Sequence, residues 1–213
     1  MSLRQKFGKK SIGVLVVLLV VSGITAGFLL NKNNQKKQST GEVLTYSTDK
    51  PDETKPNKDT YKWQGQPTDP KFITMPTINT DGFIQKVGVD QKKQIAVPNN
   101  IHVAGWFNQT AIPGEKGLSI IDGHVTGRVN NGIFKDLGKL KDGDIFKIEF
   151  GNGTSKEFKV VKKIDSLVKD SASVLFSQEP GIERQVNLIT CSGVFDRKTQ
   201  SYPNRLVVIA EAK

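Results

Sequence analysis

Read from residue 71 onward, the chain alternates short apolar runs with polar punctuation. Runs rich in β-branched and aromatic residues fall at 72–78, 83–89, 102–107, 118–125, 144–150, 157–164, 186–191 and 206–210. In the fifth of these, Phe146, Ile148 and Phe150 alternate with Lys147 and Glu149, the two-residue period of a strand buried on one face. Pro98-Asn-Asn, Pro113-Gly114, Gly143, Gly151-Asn-Gly153 and Pro180-Gly181 punctuate the gaps as turns. Helical periodicity is confined to 132–140, where Ile133, Phe134, Leu137 and Leu140 predict one short turn of helix. Many short strands with frequent turns predict an all-β barrel or sandwich. No repeat and no second domain is visible.

The pattern upstream differs. Residues 12–30 carry no charge and no polar face. Nineteen residues at helical rise reach about 28 Å, the thickness of a bilayer's hydrocarbon. A spanning anchor over 11–30 is therefore expected, rather than a cleaved signal peptide, since no small-x-small cleavage site follows. Arg4, Lys6, Lys9 and Lys10 precede it, which favours a cytoplasmic tail over 1–10 and an extracellular remainder. Residues 31–70 are rich in Asn, Gln, Lys, Ser, Thr, Asp and Pro. With few large apolar residues such a stretch does not offset its chain entropy, and it reads as a flexible extracellular tether. Tyr61-Lys-Trp63 is the place where such a tether would dock if it docks at all. The catalytic domain is then 71–213.

Charge changes this picture little. Lys and Arg total 31 against 21 Asp and Glu, a formal net charge of +10. Part of the excess flanks the apolar run, and no aromatic-basic interleaving of a nucleic-acid binder accompanies it, so no nucleic-acid partner is expected.

The chemistry converges on few residues. Cys191 is the only cysteine and closes the apolar run 186–191, so a disulfide within the chain is excluded. A lone thiol is either inert and buried or a nucleophile, and as a nucleophile it needs a proton carrier and a donor for the oxyanion. Of the two histidines, His124 follows Gly123 at the exit of a predicted strand, where a side chain can face a cleft. His102 starts a strand and reads as structural. Arg205 enters the last strand directly and is held by the sheet, whereas Arg197 lies in a polar loop.

Taken in order, Gly123-His124-Val125, Phe134-Lys-Asp-Leu137, Leu140-Lys-Asp-Gly143-Asp144, Leu188-Ile-Thr-Cys191 and Arg205-Leu-Val-Val-Ile-Ala210 resemble the sortases, membrane-anchored cysteine transpeptidases mainly of Gram-positive bacteria. Gly105-Trp106, Ala111-Ile-Pro-Gly-Glu115 and Cys191-Ser-Gly-Val-Phe-Asp196, ending near Tyr202, are most similar to the class F group. The resemblance spans roughly 72–212. It implies a closed eight-stranded β-barrel, with His124, Cys191 and Arg205 as active residues and Thr190 as a secondary substrate contact. Arg197 stays open as the functional arginine. It also implies a sorting signal of the Leu-Pro-x-Thr-Gly type, cut between Thr and Gly, and a cell-wall or pilin amine as acceptor. Residues 165–185 are the natural specificity loop. Glu179 and Glu183 have no obvious acidic partners, so neither metal nor cofactor is expected. A hydrolytic cysteine peptidase and a non-catalytic, membrane-tethered binding module are the competing readings.

At pH 7 an unperturbed thiol is about 3% thiolate and an unperturbed imidazole about a quarter protonated. An independent reactive pair is then below about 1% of molecules, so the site must either shift these values or work through a minor form.

Overall fold

The computed structural model describes residues 42–213. The expected cytoplasmic tail, the anchor over 11–30 and the first part of the tether lie outside the described residues. Among the described residues no helix is long and apolar enough to cross a membrane.

Eight strands form a closed barrel: β1 (Pro70–Met75), β2 (Thr80–Val87), β3 (Ala104–Phe107), β4 (Gly117–Asp122), β5 (Ile145–Phe150), β6 (Ser155–Leu167), β7 (Arg184–Ser192) and β8 (Asn204–Ala212). Around the wall they run β1-β2-β3-β4-β7-β8-β6-β5, and β5 closes on β1. The pairs β2–β3 and β4–β7 are parallel and the others antiparallel. Closure removes the exposed edges that an open sheet of these strands would present. The expected all-β barrel is thus the observed one.

The two faces of the wall follow the two-residue period. Inside, Ile73, Ile84, Ile121, Phe146, Ile148, Phe158, Val186, Leu188 and Val208 fill the barrel, capped by Phe134, Leu137 and Leu140. Each fully buried side chain of this kind contributes about 1.5–3 kcal/mol relative to exposure. Outside, Val87, Phe107, Ile120, Ile189, Val207 and Ile209 form a second cluster with Leu175 and Ile182. Leu175 belongs to the only α-helix among the described residues, α1 (Ser171–Leu175), within the β6–β7 connection.

That connection is pinned by buried amides. The Gln185 amide accepts from the Glu179 N–H (2.7 Å) and donates to the Ser177 carbonyl (2.9 Å) and Asn187 Oδ1 (2.8 Å). Asn187 Nδ2 donates to the Leu175 carbonyl at 2.8 Å. A buried amide left unpaired is costly, so this ladder fixes the connection against β7.

Most strand boundaries differ from expectation by a few residues, and four differences carry a physical reason or bear on the site. The run 72–78 leaves the strand at Met75, where Pro76 opens a 3-10 turn, Pro76–Ile78. The expected helical turn is a 3-10 turn at Leu137–Lys139. Strand β4 stops at Asp122, so His124 lies beyond the strand. Strand β6 runs to Leu167, its alternation broken by a register shift between Val160 and Lys162 that hid its length.

The described part of the expected tether, 42–70, is a strap lying on the barrel, in one compact unit with it. Leu44 exchanges main-chain bonds with Lys86 and Gly88 (3.0 and 2.8 Å). Tyr61 packs on Phe83, and Trp63 Nε1 donates to the Ile84 carbonyl at 2.7 Å. Lys86 pairs with Asp69 at 2.7 Å, both largely buried. Hydrogen bonds and two aromatic anchors hold this polar segment where hydrophobic content alone does not.

Candidate active site

Register delivers two of the expected residues. In the antiparallel pair β7–β8, Cys191 faces Arg205 directly. Opposed residues of an antiparallel pair project from the same face with Cβ atoms about 4.5–5.5 Å apart. That face carries Ile189 and Val207 of the outer cluster, so thiol and guanidinium project from the outer wall. Arg205 Nη1 donates to the carbonyls of Asn204 (2.9 Å) and Tyr202 (3.3 Å), which steadies the guanidinium without occupying its remaining donors.

His124 arrives by the parallel pair. Asp122 of β4 is in register with Ile189 of β7, and His124 and Cys191 each lie two residues past that pair. Strand β7 holds the approach to His124 on both sides. The Gly123 N–H donates to the Ile189 carbonyl at 3.1 Å, and Thr190 Oγ1 donates to the Gly123 carbonyl at 2.7 Å. Thr190 points inward and is buried, so its direct role is to lock the two strand ends together.

Beyond the strand, His124 is fixed by contacts from separate segments. Its Nε2 lies 2.7 Å from the Pro98 carbonyl. A carbonyl only accepts, so Nε2 carries a proton and Nδ1 is left as the nitrogen that gains or loses one. The Phe134 N–H donates to the His124 carbonyl at 2.9 Å. Gly132 passes so close that a Cβ there would come within 2.2 Å of the His124 carbonyl oxygen. Thr126 and Tyr202 share a hydroxyl hydrogen bond of 2.8 Å, tying this loop to the approach of β8.

Electrostatics favour the uncharged pair. Burial pushes the Cys191 thiol up; the Arg205 charge pulls it down and Asp122 opposes that pull. Burial lowers His124, against the raising effect of the Pro98 carbonyl. The resting state is therefore thiol and neutral imidazole.

Asp122 was not singled out in the sequence. It is 93% buried by its 7% exposure, and its Oδ1 has no hydrogen-bond partner. It pairs across β3–β4 with Gly105, where a Cβ would come within 2.2 Å of that oxygen. Burial drives its pKa well up, against main-chain donors at Asp122 and Gly105. The readable signal was an acidic residue closing an apolar run; the glycine opposite it shows only in the paired strands. Pro98 gave no signal of its role, because the role belongs to its carbonyl.

The remaining residues stay apart from this cluster. Arg197 is exposed at the tip of the turn bridged between Asp196 and Ser201. His102 Nε2 lies 3.1 Å from the Glu53 carbonyl, a structural anchor of the strap. Glu179 pairs with Lys162 (2.8 Å) and Glu183 with Lys116 (3.8 Å). Among the described residues no group of His, Cys, Asp and Glu is arranged to hold a metal ion. A cavity of about 350 Å³ lined by Tyr61, Trp63, Lys86 and Trp106 lies under the strap and touches none of Cys191, His124 and Arg205.

Residues 73–213 match the family model of the sortase domain. The chain belongs to the sortase family. Solved structures agree on the fold. Sortase A from Corynebacterium diphtheriae is 24% identical with a TM-score of 0.51, over 70% of this chain and 63% of that one. The lid mutant of that enzyme gives 25% identity and a TM-score of 0.51, over 68% of this chain and 69% of that one. Sortase C of Streptococcus pneumoniae is 19% identical with a TM-score of 0.50, over 67% of this chain and 66% of that one. The sortase described here thus spans just under two thirds of the first of these. No curated protein matched the chain.

Proposed function

We propose that this sortase is a membrane-anchored cysteine transpeptidase that cleaves a Leu-Pro-x-Thr-Gly-like signal between Thr and Gly and passes the acyl group to a cell-wall or pilin amine. The observation that carries the reading is the pairing of Cys191 with Arg205 at the same barrel edge that receives His124 from the parallel strand β4. The anchor, the extracellular location and the class F affinity rest on the sequence features described above.

The chemistry follows from the geometry. The Cys191 proton moves to His124 Nδ1, and Sγ attacks the Thr carbonyl carbon. Free N–H groups of Arg205 donate to the developing oxyanion or to the substrate backbone beside it. As the tetrahedral adduct collapses, the C–N bond breaks and Nδ1–H protonates the departing amine. A thioester on Cys191 remains. The incoming amine loses a proton to Nδ1 as it attacks the thioester, the C–S bond breaks, and the thiol is regenerated. Nε2 keeps its proton on the Pro98 carbonyl throughout, so imidazole orientation is preserved across both half-reactions.

Exposed apolar side chains rim the same end of the barrel. Leu167 ends β6 and Val168 follows it, and Val194 and Phe195 follow β7. Exposed apolar surface grouped beside a nucleophile suits the Leu and Pro side chains of such a signal.

The test is a Leu-Pro-x-Thr-Gly peptide incubated with an amine nucleophile and read by mass spectrometry. Ligated product is expected, and none with Cys191→Ala. Cleavage without ligation assigns a hydrolase instead. Full turnover by Cys191→Ala overturns both enzyme readings.

A further inference from the structure

We propose that the strap residues Asp52 and Glu53 form a clamp that holds the His124 imidazole in its working position, with Glu53 the positioning residue. The proposal rests on the reading of His124 as the proton carrier.

Two segments flank His124, and consecutive strap residues grip both. The first is the loop whose Pro98 carbonyl fixes Nε2. There the Asp52 N–H donates to the Asn99 carbonyl (2.7 Å), and the Asp52 carbonyl accepts from the Ile101 N–H (2.9 Å). The Asp52 side chain accepts from Asn100 Nδ2 at 3.3 Å. The second is the turn directly after His124. There the Glu53 carboxylate accepts from the N–H groups of Arg128 (2.6 Å), Val129 (3.1 Å) and Asn130 (2.8 Å). Three successive main-chain donors converging on one carboxylate form an anion nest, filled here from within the chain. Partial desolvation raises the Glu53 pKa, but these three donors outweigh it and hold the carboxyl below its ordinary value.

The backbone is shaped for this contact. A Cβ at Gly127 would come within 2.7 Å of Glu53 Cδ and 2.9 Å of Ile101 Cδ1, so the glycine makes room for the carboxylate. The two gripped segments are also joined to each other, since the Ile133 N–H donates to the Ile101 carbonyl at 2.8 Å. His124 therefore sits inside a closed circuit. Pro98 holds its ring, Phe134 holds its carbonyl, and Asp52–Glu53 hold the loops that carry those contacts. No strand constrains the imidazole directly, so the clamp supplies the rigidity that β7 and β8 give Cys191 and Arg205.

The experiment compares full-length wild type with Glu53→Gln, Glu53→Asp, Gly127→Ala, Lys55→Ala and His124→Ala. An amide offers one acceptor oxygen to three donors and carries no charge. Glu53→Gln is expected to lower kcat about tenfold with KM within about twofold, as displacement of a reacting group does. Glu53→Asp, which keeps the carboxylate, recovers part of that loss. Gly127→Ala, which displaces the carboxylate without altering it, reproduces the loss. Lys55→Ala removes only an exposed strap ion pair with Asp81 and stays at the wild-type rate. The second readout is the ¹⁵N spectrum of histidine-labelled protein. The Nε2–H tautomer signal that disappears in His124→Ala is sharp in wild type and averaged between tautomers in Glu53→Gln and Gly127→Ala.

Wild-type kcat together with an unchanged tautomer signal in both clamp variants overturns the clamp. So does a loss shared equally by Lys55→Ala, which marks general loosening of the strap. Full turnover by His124→Ala sinks the catalytic reading of that residue instead, and the tautomer signal then tests the clamp alone.

Discussion

Cys191 and Arg205 stand on strands; His124 stands on loops. The first two are fixed by one register relation inside a ladder of main-chain hydrogen bonds. Moving either would mean shifting β7 against β8 along the whole pair from Gln185–Glu211 to Ser192–Asn204. The imidazole is fixed by the Pro98 carbonyl and the His124 main chain by Phe134, while its loop is tied by Thr190, Thr126 and Glu53. A sheet distributes its constraint over many bonds, and a loop concentrates it in a few. The nucleophile side of the site should therefore tolerate substitution near it, while the proton-carrying side responds to changes far from it in sequence.

The largest test of this contrast is His124→Ala. Loss of a positioned acid and base lowers turnover about 10²–10⁴-fold. Cys191 remains an alkylatable thiol in that variant, since its strand is untouched. Peptide cleavage and iodoacetamide labelling, measured together, check both halves. A mild effect on turnover would reassign the proton-carrying role.

Arg205→Ala comes next. Removing one oxyanion donor lowers kcat about 10²–10³-fold. It also removes the charge that draws the Cys191 thiol downward, so burial and Asp122 act unopposed and the thiol titrates higher still. The alkaline limb of labelling against pH moves up. Arg197→Ala, on an exposed turn, stays close to wild type in the same assay. The opposite result would exchange the two arginines.

These arginines also show what was legible in advance. Arg205 could be favoured because it adjoins an apolar run, and apolar runs report strands. Arg197 could not be dismissed, because a polar loop leaves no pattern that tells a working charge from a solvated one. The same limit hid the strap. Residues 42–70 lack the apolar content of a packed segment, and they are held by Glu53 on main-chain N–H groups, Asp52 on Asn99 and Ile101, and Trp63 on a main-chain carbonyl. Main-chain partners carry no side-chain signature, so no periodicity announces them. Asp122 was missed for a related reason. Its meaning lies in the absent side chain of Gly105 across the sheet, which becomes visible only once β3 and β4 are paired.

A smaller effect separates the two sides at their seam. Thr190→Val keeps the shape of the side chain and removes the hydroxyl that donates to the Gly123 carbonyl. Leaving a buried acceptor with one partner fewer costs about 1–3 kcal/mol. A lower denaturant midpoint with unchanged slope is expected. Because the lost bond lies on the His124 side, kcat falls more than the rate of Cys191 alkylation. Equal losses in both would mean that the bond serves the whole barrel rather than the approach to His124.

The finest test is the buried carboxyl between the two sides. The folded-state pKa of Asp122 is raised well above its ordinary value of 3.8. The folded protein then binds a proton that the unfolded chain has already released. Stability from neutral Asp122 is fully present below that ordinary value and is lost as pH rises through the raised one. Asp122→Asn is neutral at every pH and escapes this loss. Its melting temperature should gain on wild type as pH climbs from 4 toward 8, and the gap should flatten once wild-type Asp122 ionises in the folded state. Ionised Asp122 also opposes the Cys191 thiolate, so the same substitution draws the thiol downward and speeds its alkylation at alkaline pH. A melting difference that does not vary with pH would mean that Asp122 keeps the same proton in the folded and unfolded chain. Its influence on the thiol would then be one of shape, exerted through its packing against Gly105, and the alkylation rate would follow the packing of the asparagine rather than its lack of charge.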